Sequence, residues 1–125
     1  MKLLLDTQIY LWVLEDSPRL NQRGRDKILA ADQVLVSAAS IWEAVIKSTL
    51  GKLRVEPTLL VAEIARSGFI ELPVTARHAA VVANLPMHHK DPFDRLLVAQ
   101  ALTEPARLLT SDAMLARYTE LVDTV

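Results

Sequence analysis

At 125 residues the chain has the length of one domain, and 51% hydrophobic content is enough apolar material for a full core. It has no cysteine, which excludes disulfides, thiolate catalysis and zinc–cysteine sites, and 5% aromatics leave an aliphatic core of Leu, Val, Ile and Ala. A net charge of −1 excludes a general polyanion binder, so any nucleic-acid contact must come from a local patch.

Leu3, Leu4 and Leu5 are too short a run for a secretion signal, and no apolar run nears the roughly 18 residues that span a bilayer. The expectation is a cytoplasmic protein with no membrane partner. Residues 1–125 show no repeat, low-complexity tract or linker and read as a single domain.

Lys2 to Leu5 (KLLL) predicts a strand buried on both faces, and Thr7 to Leu14 a helix closed by the turn Glu15-Asp16-Ser17-Pro18. A basic helix is predicted over Arg19 to Ala31, a strand over Val34 to Val36, and a helix over Ser37 to Ser48 that stops near Gly51. Thr58 to Arg66 has apolar residues at helical spacing up to Gly68, and Phe69 to Leu72 reads as a strand closed by Pro73. Thr75 caps a helix running to about Asn84. Asp91 is a good N-cap for a helix from Pro92 to about Thr103, since proline suits the first helical position. Arg107 to Thr110 is a further strand, Ala113 to Tyr118 a short helix, and Glu120 to Val125 an edge strand. Strands alternating with helices predict an α/β fold: a mainly parallel sheet of four to five strands with helices on both faces.

Most of the 15 acidic residues fall at turns or helix ends, where a solvated surface places them, among them Glu15, Asp16, Asp32, Glu104 and Asp123. Four stand apart. Asp6 and Asp112 each follow a predicted buried strand. In an open parallel sheet such positions share one edge, the edge where ligands bind, and they meet if their strands are neighbours. Each is equally well placed to cap the helix after it. Asp94 extends the apolar stripe of Leu97, Val98 and Ala101 and leans toward the same edge, because helical side chains tilt toward the N-terminus. Glu43 has a plain local reading, with Ser40 as a capping-box partner and Lys47 as an i,i+4 ion pair, and on pattern alone that reading is favoured.

Carboxylates converging on one edge either hold protons at raised pKa or hold a cation, and an all-oxygen set suits Mg²⁺ or Mn²⁺. The adjacent His88 and His89 lack the i,i+4 spacing of a helical zinc pair and face either solvent or substrate. No Gly-rich phosphate loop or G-x-S-x-G elbow is present. An aspartyl-phosphate enzyme wants a second acid where Gln8 stands.

The stretches LLLDTQIYLW, VSAASIWEAVIKSTLGKL, HHKDPFDRLLVAQAL and LLTSD together resemble the PIN-domain ribonucleases, and among them the VapC-type toxins of bacterial toxin–antitoxin pairs. The resemblance runs over nearly the whole chain. It implies a quartet of metal-binding and catalytic acids at Asp6, Glu43, Asp94 and Asp112, which reverses the local reading of Glu43. It leaves Asp91 as the cap beside Asp94. It further implies an endoribonuclease dependent on Mg²⁺ or Mn²⁺, a looped or single-stranded RNA substrate, a cognate antitoxin and a homodimer. A non-catalytic PIN-like binding module is the alternative. Thr7 and Ser111 are candidates to hydrogen-bond phosphate or a ligand water, though both are natural caps, and Arg95 with Lys90 flanks Asp94. Basic clusters at Arg19, Arg23, Arg25 and Lys27, and at Lys47, Lys52 and Arg54, either track an RNA backbone or form ordinary solvated faces. Of Tyr10, Trp12 and Trp42, at least two are expected to pack in the core.

Overall fold

A computed structural model describes residues 1–125 as five strands and six α-helices. The strands are β1 (Lys2–Leu5), β2 (Gln33–Ser37), β3 (Ile70–Leu72), β4 (Arg107–Thr110) and β5 (Val122–Thr124). The helices are α1 (Thr7–Glu15), α2 (Gln22–Ala30), α3 (Ala38–Thr49), α4 (Pro57–Arg66), α5 (Ala76–Val81) and α6 (Pro92–Thr103). All five strands are parallel, in the order β3-β2-β1-β4-β5.

The central strand explains the order. Leu3, Leu4 and Leu5 of β1 are at most 3% exposed, so the strand must be covered on both faces and paired on both sides. Leu3 and Leu5 turn to one face, where Ile9, Tyr10, Leu11, Leu60 and Ile64 join them from α1 and α4. Leu4 turns to the other face, where Leu97, Val98 and Ala101 of α6 close over it with Leu108 and Leu115. β1 pairs with β2 on one side and with β4 on the other, so the direction of strand progression reverses beside β1. The residues that follow β1 and β4 therefore emerge side by side at one edge, tied by the Asp6 N–H donating to the Leu109 carbonyl over 3.0 Å.

Three predicted elements change in detail. α2 starts at Gln22, not Arg19, because the Asn21 side chain accepts from the Gly24 N–H and sets the cap there, while Leu20 closes a turn onto the Ser17 carbonyl. The helix predicted to reach Asn84 tightens into a 3₁₀ turn over Val82–Asn84. Ala113–Arg117 is also 3₁₀, held by bonds from Leu115 to Asp112 and from Tyr118 to Leu115. Gly51 and Gly68, with φ of 74° and 78°, follow α3 and α4 in the left-handed conformation that ends helices.

Two residues read as surface acids are structural. Asp123 receives the Arg107 guanidinium through two bonds of 2.7 and 2.5 Å, which fixes the edge strand β5 to β4 and lowers the Asp123 pKa. Glu104 takes the Nε2 of buried His78 at 2.7 Å and so links α5 to the end of α6. No helix is long and apolar enough to cross a membrane.

Tyr10 is 1% exposed and its hydroxyl donates to the Leu60 carbonyl over 2.7 Å, joining α1 to α4 through the core. Tyr10→Phe removes that buried bond between α1 and α4. It should cost about 1–2 kcal/mol and lower Tm by roughly 3–8 °C in thermal unfolding followed by circular dichroism.

Candidate functional site

The carboxyl edge of the sheet gathers the four acids from four separate segments. Asp6 follows β1 and caps α1, its Oδ1 accepting from the Ile9 N–H at 2.8 Å. Asp112 follows β4 and caps the 3₁₀ turn, its Oδ1 accepting from the Met114 N–H at 3.0 Å. Glu43 comes from the second turn of α3 and Asp94 from the first turn of α6. Asp6 and Glu43 are 6% and 7% exposed, while the Asp94 and Asp112 side chains are 20% and 37% exposed. The edge thus grades from a buried floor to an open rim.

Electrostatics follow from that burial. Desolvation pushes the Asp6 carboxyl up to about 6, against hydrogen bonds from Thr110 and Ile9 that favour the anion, and the charges of Glu43 and Asp112 push the same way as burial. Asp94 rises to about 7, again first through burial, then through Asp91, Asp6 and Glu43, with His89 in partial opposition. Asp6 and Asp94 therefore both feel neighbouring carboxylate charge across a partly dry edge.

Neighbouring donors hold the acids in place. Thr110 donates to Asp6 Oδ2 at 2.5 Å and its own oxygen accepts from the Asp112 N–H at 3.0 Å, coupling the two strand-end acids through one hydroxyl. Thr7 donates to Glu43 Oε1 at 2.7 Å and lies 2.9 Å from the Ser40 hydroxyl. Lys47 takes Glu43 Oε2 at 2.9 Å. Burial works against the Lys47 ammonium, but its bond to Glu43 and the charges of Glu43, Asp91 and Asp94 raise its pKa overall. The Glu43–Lys47 pair predicted for a solvated helix face is thus present, yet it is turned into the site. Ser37, not Ser40, caps α3 through the Ala39 N–H, which frees Ser40 to face Thr7.

The remaining sequence candidates fall in varied places. Asp91 caps α6, its Oδ1 accepting from the Phe93 and Asp94 N–H groups at 2.8 and 3.2 Å. Ser111 is exposed beside Asp112. Arg95 is engaged with the protein itself, donating to the carbonyls of Val82, Leu85 and Pro86 and to the Tyr118 hydroxyl. The basic patch on α2 is likewise engaged: Arg25 binds Asp16 and the Ser17 and Leu20 carbonyls, Arg23 the Thr124 carbonyl, and Lys27 pairs with Asp123. Tyr10 is buried and Trp12 packs partly against the core. Trp42 stays 62% exposed, edge-on to Phe93 with ring centres 5.2 Å apart, so the residues beside Glu43 and Asp94 form an aromatic rim.

Sequence reasoning missed Thr110, Ser40 and His89. His89 Nε2 lies 2.9 Å from Asp112 Oδ2 and 3.6 Å from Asp94 Oδ2. The quoted motif holds the one usable signal, a histidine two residues before the α6 cap. Thr110 reads as a strand residue and Ser40 as a cap, so neither carries a signal of its own. None of the cavities in the fold is lined by the four acids, so the site is an open edge and not a closed pocket for a small molecule.

Comparison with known proteins agrees with this layout. Ribonuclease VapC22 of Mycobacterium tuberculosis (strain ATCC 25618 / H37Rv) is 29% identical over 120 residues, covering 92% of this chain and 90% of that protein. The crystal structure of VapBC2 from Rickettsia felis bound to a DNA fragment from their promoter matches with a TM-score of 0.71 at 14% identity, over 99% of this chain and 98% of that one. A toxin–antitoxin complex from Klebsiella pneumoniae matches with a TM-score of 0.66 at 18% identity, over 97% and 95% of the two chains. Likenesses this distant in sequence speak for the fold alone. The PIN domain family profile matches residues 3–121, and on that match, with the parallel sheet that underlies it, the chain belongs to the PIN domain family.

Proposed function

We propose that this protein is a divalent-metal-dependent endoribonuclease, the toxin of a toxin–antitoxin pair, acting in the cytoplasm as a homodimer that a cognate antitoxin holds inactive. The observation that carries the catalytic reading is the convergence of Asp6, Glu43, Asp94 and Asp112 on one partly dry edge, where Asp6 and Asp94 are raised to about 6 and about 7. Two carboxyls raised this far beside two further acids are consistent with a site that takes up a cation. The name of the M. tuberculosis relative supports ribonuclease activity, and the toxin–antitoxin setting of the structural relatives supports an antitoxin partner.

The donor set fits Mg²⁺ or Mn²⁺, being carboxylate oxygens from four segments with no thiolate among them. Such an ion, held by Asp6 and Asp94 and completed by Glu43 and Asp112, supplies charge neutralisation at the phosphate and a water of lowered pKa. The chain does the rest. Thr110 and the Ile9 N–H fix Asp6, while Thr7 and Lys47 fix both oxygens of Glu43, so the acids are oriented before substrate arrives. The open edge suits a polymer that lies across it. Exposed Lys90 beside the rim serves the phosphate chain, and the Trp42 face offers an unpaired base a stacking surface.

Cleavage of labelled total RNA in Mn²⁺ is the test, with Asp6→Asn and Asp94→Asn as controls. Asparagine keeps the cap at Asp6, which alanine would remove. Each variant should cut at least about 100-fold more slowly with an unchanged circular dichroism spectrum. Wild-type cleavage rates in both variants would reject the assignment, and RNA binding without cleavage by the wild type would favour the binding-module reading.

The raised carboxyls also set a pH dependence for the metal-free protein. From pH 4 to about 7 the folded state keeps a proton on Asp94 that an unfolded Asp, with its ordinary value of 3.8, has released, so stability falls as pH rises through that window. Asp94→Asn removes the penalty. After discounting for solvent screening it should gain on the order of 1–2 kcal/mol, seen in metal-free thermal melts as a Tm about 3–8 °C higher at pH 8, with the gain shrinking toward pH 4.

A further inference from the structure

His89 is the one side chain at the acid edge that reaches two of the carboxylates, Asp112 Oδ2 at 2.9 Å and Asp94 Oδ2 at 3.6 Å. Ligand atoms of these three residues all lie within 4.8 Å of one another, close enough to share a cation. The other ring nitrogen argues against that use. The Asp91 backbone N–H donates to His89 Nδ1 over 3.0 Å, so Nδ1 carries a lone pair and the ring proton sits on Nε2. A metal at Nε2 needs the lone pair there. Moving the proton to Nδ1 would set it against the Asp91 N–H and undo the turn from which α6 starts, where the Asp91 side chain caps the helix.

We infer that His89 is not a ligand but a positioning residue: its Nε2–H donates to Asp112 and holds that carboxylate in the place from which it serves the metal site. The inference rests on the metal-site reading given above and adds to it a residue outside the four acids. Without this donor, two carboxylates from β4 and α6 would face each other with nothing between them. Neutral donors that orient ligating carboxylates are a general feature of metal sites, and their loss typically weakens metal binding 10–100-fold.

The backbone that carries the ring is also held. The His89 backbone N–H donates to the Tyr118 hydroxyl at 2.8 Å, and Arg95 bonds that hydroxyl at 3.2 Å while gripping the Pro86 carbonyl at 3.0 Å. Tyr118 follows the 3₁₀ turn that Asp112 starts, so loop, turn and α6 close around the same imidazole. The role that Arg95 fills is therefore in this clasp. The His89 side chain is 19% exposed, enough for water to reach it but not enough for it to swing free.

The test is Mn²⁺ titration by calorimetry into the whole protein, wild type beside His89→Ala and His89→Gln, with two spectroscopic readings on the wild type. His89→Ala should weaken Mn²⁺ about 10–100-fold, and His89→Gln, which keeps an N–H donor, should recover part of that loss. Ring ¹⁵N spectra of the metal-free protein should place the proton on Nε2, and pulsed EPR of bound Mn²⁺ should show no directly coordinated imidazole nitrogen. A coordinated nitrogen, a proton on Nδ1, or equal Mn²⁺ affinity in His89→Ala overturns the inference and leaves the metal site standing. A wild type that binds no Mn²⁺ overturns both.

Discussion

Carboxylates gathered at the edge of an apolar sheet repel one another and lose the water that would screen them, and the surrounding structure is organised around that conflict. The sheet order creates it. With β1 central and β4 beside it, Asp6 and Asp112 leave adjacent strands at the same edge, and α3 and α6 bring Glu43 and Asp94 to meet them. Burial of β1 on both faces is what makes the arrangement firm, because a one-residue slip of that strand would turn Leu4 and Leu5 to the wrong faces and move Asp6 off the edge.

The conflict is eased by side-chain donors at three of the four acids. Thr110 serves Asp6, Thr7 and Lys47 serve Glu43, and His89 serves Asp112. This degree of compensation matters. Enough cations to neutralise the cluster would hold the acids as permanent ion pairs. Hydroxyls and an imidazole N–H orient the oxygens without neutralising the cluster, and the raised pKa values of Asp6 and Asp94 come first from burial and then from neighbouring carboxylate charge. A basic α2 does not relieve it, since Arg23, Arg25 and Lys27 are engaged elsewhere in the molecule.

Much of this was legible in the sequence because the signals were local. KLLL before Asp6, the Asp91-Pro92 start of α6 and the glycines after α3 and α4 each depend on a few neighbouring residues, and each element formed where expected. The β1–β4 pairing, on which the meeting of Asp6 and Asp112 depends, joins residues about a hundred positions apart and has no local signature. Glu43 misled local reasoning for a related reason. Its i,i+4 partner Lys47 is real, but whether that pair faces water or the site depends on how α3 lies against α1 and α6. His89 lies in a loop with no periodicity, so only the fold brings it to Asp112 and Asp94.

For Asp6 and Asp112 the sequence also posed helix capping and a place at the ligand-binding edge as alternatives, and the geometry makes the two compatible. A carboxylate has two oxygens, and here they are divided. Asp6 gives Oδ1 to the Ile9 N–H and turns Oδ2 toward Thr110, while Asp112 gives Oδ1 to the Met114 N–H and Oδ2 to His89. One oxygen starts a helical turn and thereby fixes the carboxyl plane, and the other is aimed by the same constraint. Capping is thus how these acids are positioned. The helix N-termini add partial positive charge where the acids collect, which is why strand ends leading into helices are a favourable place to concentrate negative charge. Asp91 and Asp94 divide the labour between two residues: the first starts α6, and the second, one turn in on the buried side, is left to the site.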